Sequence, residues 1–236
     1  MQRYVAHIDK LREPTTLLDY VWKLVGERGA SSFSYHITPI FQSQTSRGTI
    51  IYAQGYSPAE QEAYLKGGYR DLDPIPRLTF EFGPILTWSD AFRLGASEPG
   101  AAAYLDEMRR RGRIHGASFA LFGARNRSGY SSLGFDTAPE RLAEGELQLL
   151  HGLLQVAHMR ICKLLDAQDR GITLSDRERE VLEWMAKGKS GTDIATILSL
   201  SPETVRTYTK RIYEKLEVGD RVAATVKALQ LGLIET

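Results

Sequence analysis

Six side chains near the C-terminus have the types and spacing to grip a polyanion. Thr204, Arg206, Thr207, Lys210, Arg211 and Lys215 all fall between Pro202 and Leu216. Wound as a helix, that stretch puts Val205, Tyr208, Ile212 and Leu216 on one side and turns the hydroxyls and cations elsewhere. Arginine and lysine neutralise phosphates or meet guanine edges, while threonine donates to phosphate or touches a thymine methyl. A major groove admits one α-helix, so the chemistry on offer is reading of duplex DNA. Taken alone, the same charges also suit an ordinary solvated face.

Such a helix must be held by others, and the preceding residues carry their start and stop signals. Ser175-Asp-Arg-Glu178 has the capping-box spacing, in which serine meets a helix-start N–H and glutamate reaches back to another. It predicts a helix from Asp176, with Val181, Leu182 and Met185 buried and Gly188 marking its end near Lys187. Ser190-Gly-Thr-Asp193 repeats the signal ahead of Ile194, Ala195 and Ile197. Leu198-Ser-Leu-Ser201 then leads to Pro202, a residue suited to a first helical turn.

The remainder of the 236 residues is long enough for a second, larger core. A net charge of +1 shows no global basic excess, so any DNA contact must be local. The N-terminus mixes charged and apolar residues, and no apolar run is long enough to span a bilayer, which reads as a cytoplasmic protein without a membrane partner. Cys162 is the single cysteine, which excludes an internal disulfide and a thiolate zinc site; a buried inert thiol and a redox role are its two readings.

Helical and strand patterns alternate through the first two-thirds. Thr15 to Gly26 and Ala101 to Arg111 read as helices, and Ser32 to Thr38 and Thr49 to Ala53 as strands. Ala117 to Phe122 and Tyr130 to Phe135 flank Gly123 to Gly129, a connection that suits an antiparallel hairpin. Between Leu142 and Leu165, Leu147, Leu150, Leu154, Ala157, Ile161 and Leu165 recur at helical spacing. That stripe serves either a dimer seam or the covering of its own sheet. The expected architecture is an α/β sensor domain, an α-β-α sandwich, over 1–165, a linker over 166–173, and a small all-α helix-turn-helix domain over 174–236.

Leu174-Ser-x-Arg-Glu-x-Glu-Val-Leu182, Gly188-Lys-Ser, Ile194-Ala-x-x-Leu198, Ser201-x-x-Thr-Val205, Lys215-Leu-x-Val218, Arg221 and Ala223-Ala224 closely resemble the LuxR-type DNA-binding domain. Tyr208 stands where many relatives carry histidine, on the packing side. The resemblance implies a fourth helix over Ala223 to Leu233 that helps pair two domains, hence a homodimer on double-stranded DNA with a palindromic operator.

The front of the chain also resembles one branch of that family, the acyl-homoserine-lactone receptors, through Tyr56, Tyr64, Tyr69, Asp73-Pro74, Trp88-Ser-Asp90 and Gly116. It does not open like a phosphorylated receiver domain. The resemblance implies quorum sensing: no cofactor, but a small signal, an acyl-homoserine lactone or a relative of it. Asp73 would accept the amide N–H and Tyr56 would donate to the acyl carbonyl, with Tyr64, Trp88 and Ser132 around them. Asp73 also reads as a helix cap before Pro74, and the aromatic residues as core.

Glu60 departs from the pattern. Relatives usually carry a tryptophan there whose indole N–H reaches the lactone carbonyl, a bond that a carboxylate cannot donate. Ser57-Pro-Ala-Glu60 is itself a capping box, so Glu60 serves either the helix start or the ligand. The departure implies an atypical signal, one that presents a donor or lacks the lactone, and an improved fit for standard lactones in Glu60→Trp.

His7, His36, His115, His151 and His158 form no metal-ligand motif, and neither a Gly-x-Ser-x-Gly elbow nor a phosphate-binding loop is present. An enzyme fused to a DNA-binding tail has little support. A heterodimerising anti-regulator is a further alternative, against which Arg206, Lys210 and Arg211 argue. An orphan regulator acting on another signal, or without one, is the remaining variant.

Overall fold

The computed structural model describes residues 2–37, 50–66, 68–123, 127–168 and 172–234. Its first part is built on a five-stranded antiparallel sheet of order β2-β1-β5-β4-β3, with β1 Ala30–Ile37, β2 Ile50–Gln54, β3 Ile85–Thr87, β4 Gly116–Leu121 and β5 Gly129–Phe135. The expected β4–β5 antiparallel pairing is present. Residues 124–126 of the connection between them, and Thr38 and Thr49 at the expected strand ends, lie outside the described residues.

Strand alternation gives the sheet two unlike faces. Phe33, Tyr35 and Ile37 of β1, Ala117, Phe119 and Leu121 of β4, and Leu133 and Phe135 of β5 enter one apolar core. Against it pack α1 (Gln2–Ile8), α2 (Pro14–Gly26) and α8 (Glu146–Gln168). Each fully buried leucine there, Leu17 and Leu150 among them, contributes roughly 1.5–3 kcal/mol. The alternate positions are small or polar: Ser32, Ser34 and His36, Gly116 and Ser118, Tyr130, Ser132 and Gly134. They face the second helical layer, which comprises α3 (Pro58–Lys66), α4 (Tyr69–Leu72), α5 (Ile75–Phe82), α6 (Trp88–Leu94) and α7 (Pro99–Arg110). The sandwich expected from the sequence is therefore observed, and its polar side is where a cavity lies.

The long-helix stripe is used within its own domain. Leu150, Leu154, Ala157 and Ile161 are buried against the sheet, with Leu147 and Leu165 partly so. Of the two readings of that stripe, covering its own sheet is the one realised. The helix also continues to Gln168, three residues into the stretch expected as linker, since nothing in Asp166-Ala-Gln168 breaks a helix.

Residues 172–234 form a separate all-α core from α9 (Asp176–Ala186), α10 (Gly191–Ile197), α11 (Pro202–Leu216) and α12 (Arg221–Gln230). Both capping boxes are complete, at Ser175 with Glu178 and at Ser190 with Asp193. Gly188 takes φ of +80°, the left-handed conformation that ends α9 cheaply. Ser201 Oγ accepts from Thr204 N at 3.0 Å to start α11, and Asp220 starts α12 in the same way. The fourth helix begins two residues before the expected Ala223 because Asp220 is the cap.

Candidate functional site

Between the polar face of the sheet and α3–α7 lies a cavity of about 220 Å³. All six ligand-site candidates line it: Tyr56, Glu60, Tyr64, Asp73, Trp88 and Ser132. The chain brings them there by different local devices.

Asp73 sits at a break between two helices. The proline after it disfavours the α conformation, so α4 ends and Asp73 is extended at ψ 108°. Its carboxylate then turns back: Oδ1 accepts from Ile75 N at 2.9 Å and Oδ2 from the Tyr64 hydroxyl at 2.9 Å. Asp73 is thus cap and cavity residue together. Burial pushes its carboxyl up to about 6, against the pull of those two bonds and of the Tyr104 hydroxyl. Burial also raises the phenols of Tyr64 and Tyr104, which stay neutral beside it, and lowers His36 to about 4, aided by Arg70.

Trp88 is placed by glycine. Gly116 and Gly134 face each other across β4 and β5, and a Cβ at Gly116 would stand 2.4 Å from the Trp88 indole. A Cβ at Gly134 would meet the Ser32 hydroxyl at 2.4 Å and the indole at 3.1 Å. The indole N–H donates to Ser132 Oγ at 3.0 Å and Ser118 Oγ at 3.2 Å. Trp88 is consequently a satisfied, buried wall, and Ser132 keeps only part of its bonding capacity for a ligand. Thr87 caps α6 by accepting from Asp90 N–H, and the Asp90 carboxylate of the same motif accepts from the Thr87 hydroxyl.

Glu60 does complete a capping box, accepting from Ser57 N at 2.7 Å and Ser57 Oγ at 2.8 Å. It has a second partner that the sequence reading missed. Arg113 Nε donates to Glu60 Oε1 at 2.9 Å and Nη2 to Oε2 at 3.2 Å, while Nη2 also reaches Gly55 O at 2.8 Å. The guanidinium lies 4.7 Å from the Tyr56 ring centroid, a cation–π arrangement. Partial burial pushes Glu60 upward, but the bonds from Arg113 and Ser57 outweigh it and bring the carboxyl down to about 2. His36, Tyr104 and Tyr130 also line the cavity and were likewise missed.

The second set of candidates is on α11. Arg206, Thr207, Lys210 and Arg211 are exposed on one broad side, while Val205, Ile212 and Leu216 are buried and Tyr208 is partly so. Thr204 is half-buried, its hydroxyl bonded to Ser201. Arg206 and Lys210 are 82% and 78% exposed, and their glutamate neighbours Glu203 and Glu214 stand at 3.9 and 3.8 Å, long enough to be released cheaply. Lys189 and Thr192 line the same groove between α10 and α11. Lys215 is differently engaged: its Nζ donates to Glu178 Oε2 at 2.6 Å and to Thr173 O at 3.0 Å. Glu178 is 3% exposed. Burial raises its carboxyl, but Lys215 and Ser175 outweigh that and lower it. Arg221, another motif residue, donates to Met185 O at 3.1 Å and so ties α12 to the end of α9.

Among the described residues no cluster of three His, Cys, Asp or Glu could hold a metal, and no helix is long and apolar enough to cross a membrane. Cys162 is buried beside His158, at 3.5 Å from its Nε2.

Comparison with known proteins agrees with this division of chemistry. Residues 13–161 match the family model of the autoinducer binding domain, and residues 172–228 that of bacterial regulatory proteins of the luxR family. The quorum sensing-dependent transcriptional regulator RpaR of Rhodopseudomonas palustris is 27% identical over 98% of this chain and 93% of its own. The transcriptional activator SolR of Ralstonia solanacearum is 29% identical over 80% of each chain. The solved structure of Escherichia coli SdiA has the same fold, with a TM-score of 0.79 at 23% identity over all of this chain and 98% of SdiA. A second SdiA structure, in complex with octanoyl-rac-glycerol, has a TM-score of 0.79 at 22% identity, over all of this chain and 95% of its own. These relatives are regulators rather than enzymes, and a small-molecule signal and DNA are what the two matched domains bind. The chain belongs to the LuxR family of quorum-sensing transcription regulators, with an autoinducer-binding domain in front of a helix-turn-helix domain.

Proposed function

We propose that this protein is a homodimeric regulator that binds a palindromic operator in the cytoplasm and responds to an acyl-homoserine lactone or a related N-acyl signal. The sensing domain runs to the end of α8 and the DNA-reading domain from Leu174 onward. The observation that carries the ligand reading is the Asp73 carboxylate, set in the cavity wall with Ile75 N–H and the Tyr64 and Tyr104 hydroxyls as donors beside it. A carboxylate has room for a further donor, and an amide N–H supplies one. Tyr56 completes the pair by donating to the acyl carbonyl, with Tyr64, Trp88 and Ser132 as walls. The cavity is at the small end for ligand sites, which favours a short acyl chain.

On the DNA side, Arg206, Thr207, Lys210 and Arg211 are the contacts, with Thr204 at the helix start, and Lys215 acts on the fold instead. Binding of the signal stabilises the folded sensor by linkage and shifts the dimer toward the arrangement that presents both α11 helices. A non-lactone signal is the second reading. Glu60 in place of a donor favours it, and SdiA, which shares the fold, has been solved with octanoyl-rac-glycerol.

Native mass spectrometry of the protein from its own host, with identification of the released compound and a thermal-shift assay of it, tests the proposal. An N-acyl compound that raises the melting temperature supports it. A stabilising molecule without an acyl amide would favour the second reading, and a stable dimer free of any small molecule would overturn both.

A further inference from the structure

We propose that Arg113 is the donor that reads the head group of the signal, with Glu60 as the residue that positions it. The inference rests on the N-acyl reading above and deepens it, by naming a neutral carbonyl as the acceptor.

Arg113 is fixed in place before any ligand arrives. It follows Gly112, whose φ of +72° ends α7, and Arg113 N closes that end by donating to Met108 O at 2.8 Å. From there the side chain crosses to the start of α3, where Glu60 and Gly55 O hold Nε and Nη2. Glu60 is itself held by Ser57, so the guanidinium is clamped by a carboxylate that the helix cap has oriented. Both side chains are four-fifths buried and line the cavity. Five N–H groups belong to a guanidinium, and among the described residues Nη1 has no protein acceptor. A largely buried donor of that kind gains most from an acceptor in the adjoining cavity.

The electrostatics choose which acceptor. Glu60 already neutralises Arg113 and Glu107 pairs with Arg111, and Asp73 is a third carboxylate lining the same cavity, with no cation of its own there among the described residues. A ligand carboxylate would bring a fourth acidic group against two cations that are already paired, whereas a carbonyl accepts from Nη1 without added charge. The missing indole donor at position 60 is thus supplied from a different element. In Glu60→Trp the clamp on Arg113 would be lost, so that substitution is not expected to be a simple restoration.

The test compares three probes by calorimetric titration of the full-length protein: N-hexanoyl-homoserine lactone, the same amide on a tetrahydrofuran ring that lacks the carbonyl, and the ring-opened carboxylate. The lactone is expected to bind about 10- to 100-fold tighter than the carbonyl-free ring. In the double variant Glu60→Gln/Arg113→Gln, which keeps a neutral pair and a side chain able to cap α3, that ratio should collapse to within about threefold. If the double variant fails to fold, Arg113→Lys replaces it; the ammonium pairs with Glu60 but lacks the second arm of the fork, and the same collapse is expected. For Glu60, the ratio should fall in Glu60→Ala and recover in part in Glu60→Gln, whose oxygen still accepts from Nε.

A ratio near one in the unmodified protein, or an unchanged ratio in the variants, would overturn the role of Arg113 while leaving the N-acyl reading intact. Tighter binding of the carboxylate would overturn the neutral acceptor. Binding of none of the three probes would sink both inference and reading together.

Discussion

Asp73 is a carboxyl whose fold works against its charge, and that sets two expectations. Its proton is held to about pH 6 in the folded protein against an ordinary 3.8, with burial as the cause. The folded state therefore binds this proton more tightly than the unfolded chain. The group favours folding most below about pH 4 and ceases to do so as pH rises through 6, so at neutral pH it costs on the order of 1–3 kcal/mol. Asp73→Asn keeps an oxygen for Ile75 N–H and removes the charge, so its ligand-free melting temperature should equal or exceed that of the parent at pH 7.5. Its response to an N-acyl ligand should nevertheless disappear, because the charged acceptor is gone. A loss of folding instead would make Asp73 a cap and nothing more. In the unmodified protein, affinity for the same ligand should fall several-fold between pH 7.5 and pH 5 as the carboxyl protonates. Glu60, low at about 2, stays ionised across that range and does not confound the titration.

Within α11 the structure separates cations of one apparent kind into two settings, with Arg206 and Lys210 exposed and Lys215 held against the buried Glu178. Arg206→Ala and Lys210→Ala should weaken operator binding and lower the slope of log affinity against log salt by about 1 each, with little change in melting temperature. Lys215→Ala should do the reverse. It strands Glu178, buried at 3% exposure, and should cost about 1–3 kcal/mol of stability in urea titration with the salt slope unchanged. An altered salt slope in the Lys215 variant would return it to the DNA face. The sequence could not make this distinction, because Lys215 and Glu178 are 37 residues apart and their meeting depends on how α9 and α11 pack. The same limit hid Arg113, which lies 53 residues from Glu60. Signals written within four residues were legible: both capping boxes, the Ser201-Pro202 start of α11, and the Asp73-Pro74 break. The cavity itself left a trace that went unread. Ser32, Ser34 and His36 alternate with Phe33, Tyr35 and Ile37, and Ser118, Ser132 and Gly134 do likewise in their strands. A strand face of serine and glycine has too little bulk to fill a layer, so something else must fill it.

For the molecule as a whole, the proposed dimer requires that two α11 helices be brought to bear on one operator. The apolar stripe of α8 is consumed by the sheet, so it is not free to serve as a seam; Met159, 59% exposed on the same helix, and Val222, 72% exposed on α12, remain available to a second copy. A two-fold dimer would set one α11 in each of two successive turns of the major groove, and the operator would repeat in inverted order with that spacing. Selection of bound sites from random duplexes should therefore return an inverted repeat whose half-site centres are one helical turn apart, about 34–36 Å, or a multiple of it. Gel-shift titration should show two chains per operator, and a duplex with a single half-site should bind at least about tenfold more weakly, since the second contact is then lost. Insertion of about five base pairs between half-sites turns one of them to the opposite side of the duplex, which a rigid pair of domains cannot follow. Equal affinity for the native and the expanded spacing would mean that each α11 acts alone, and the dimeric reading of this regulator would fall with it.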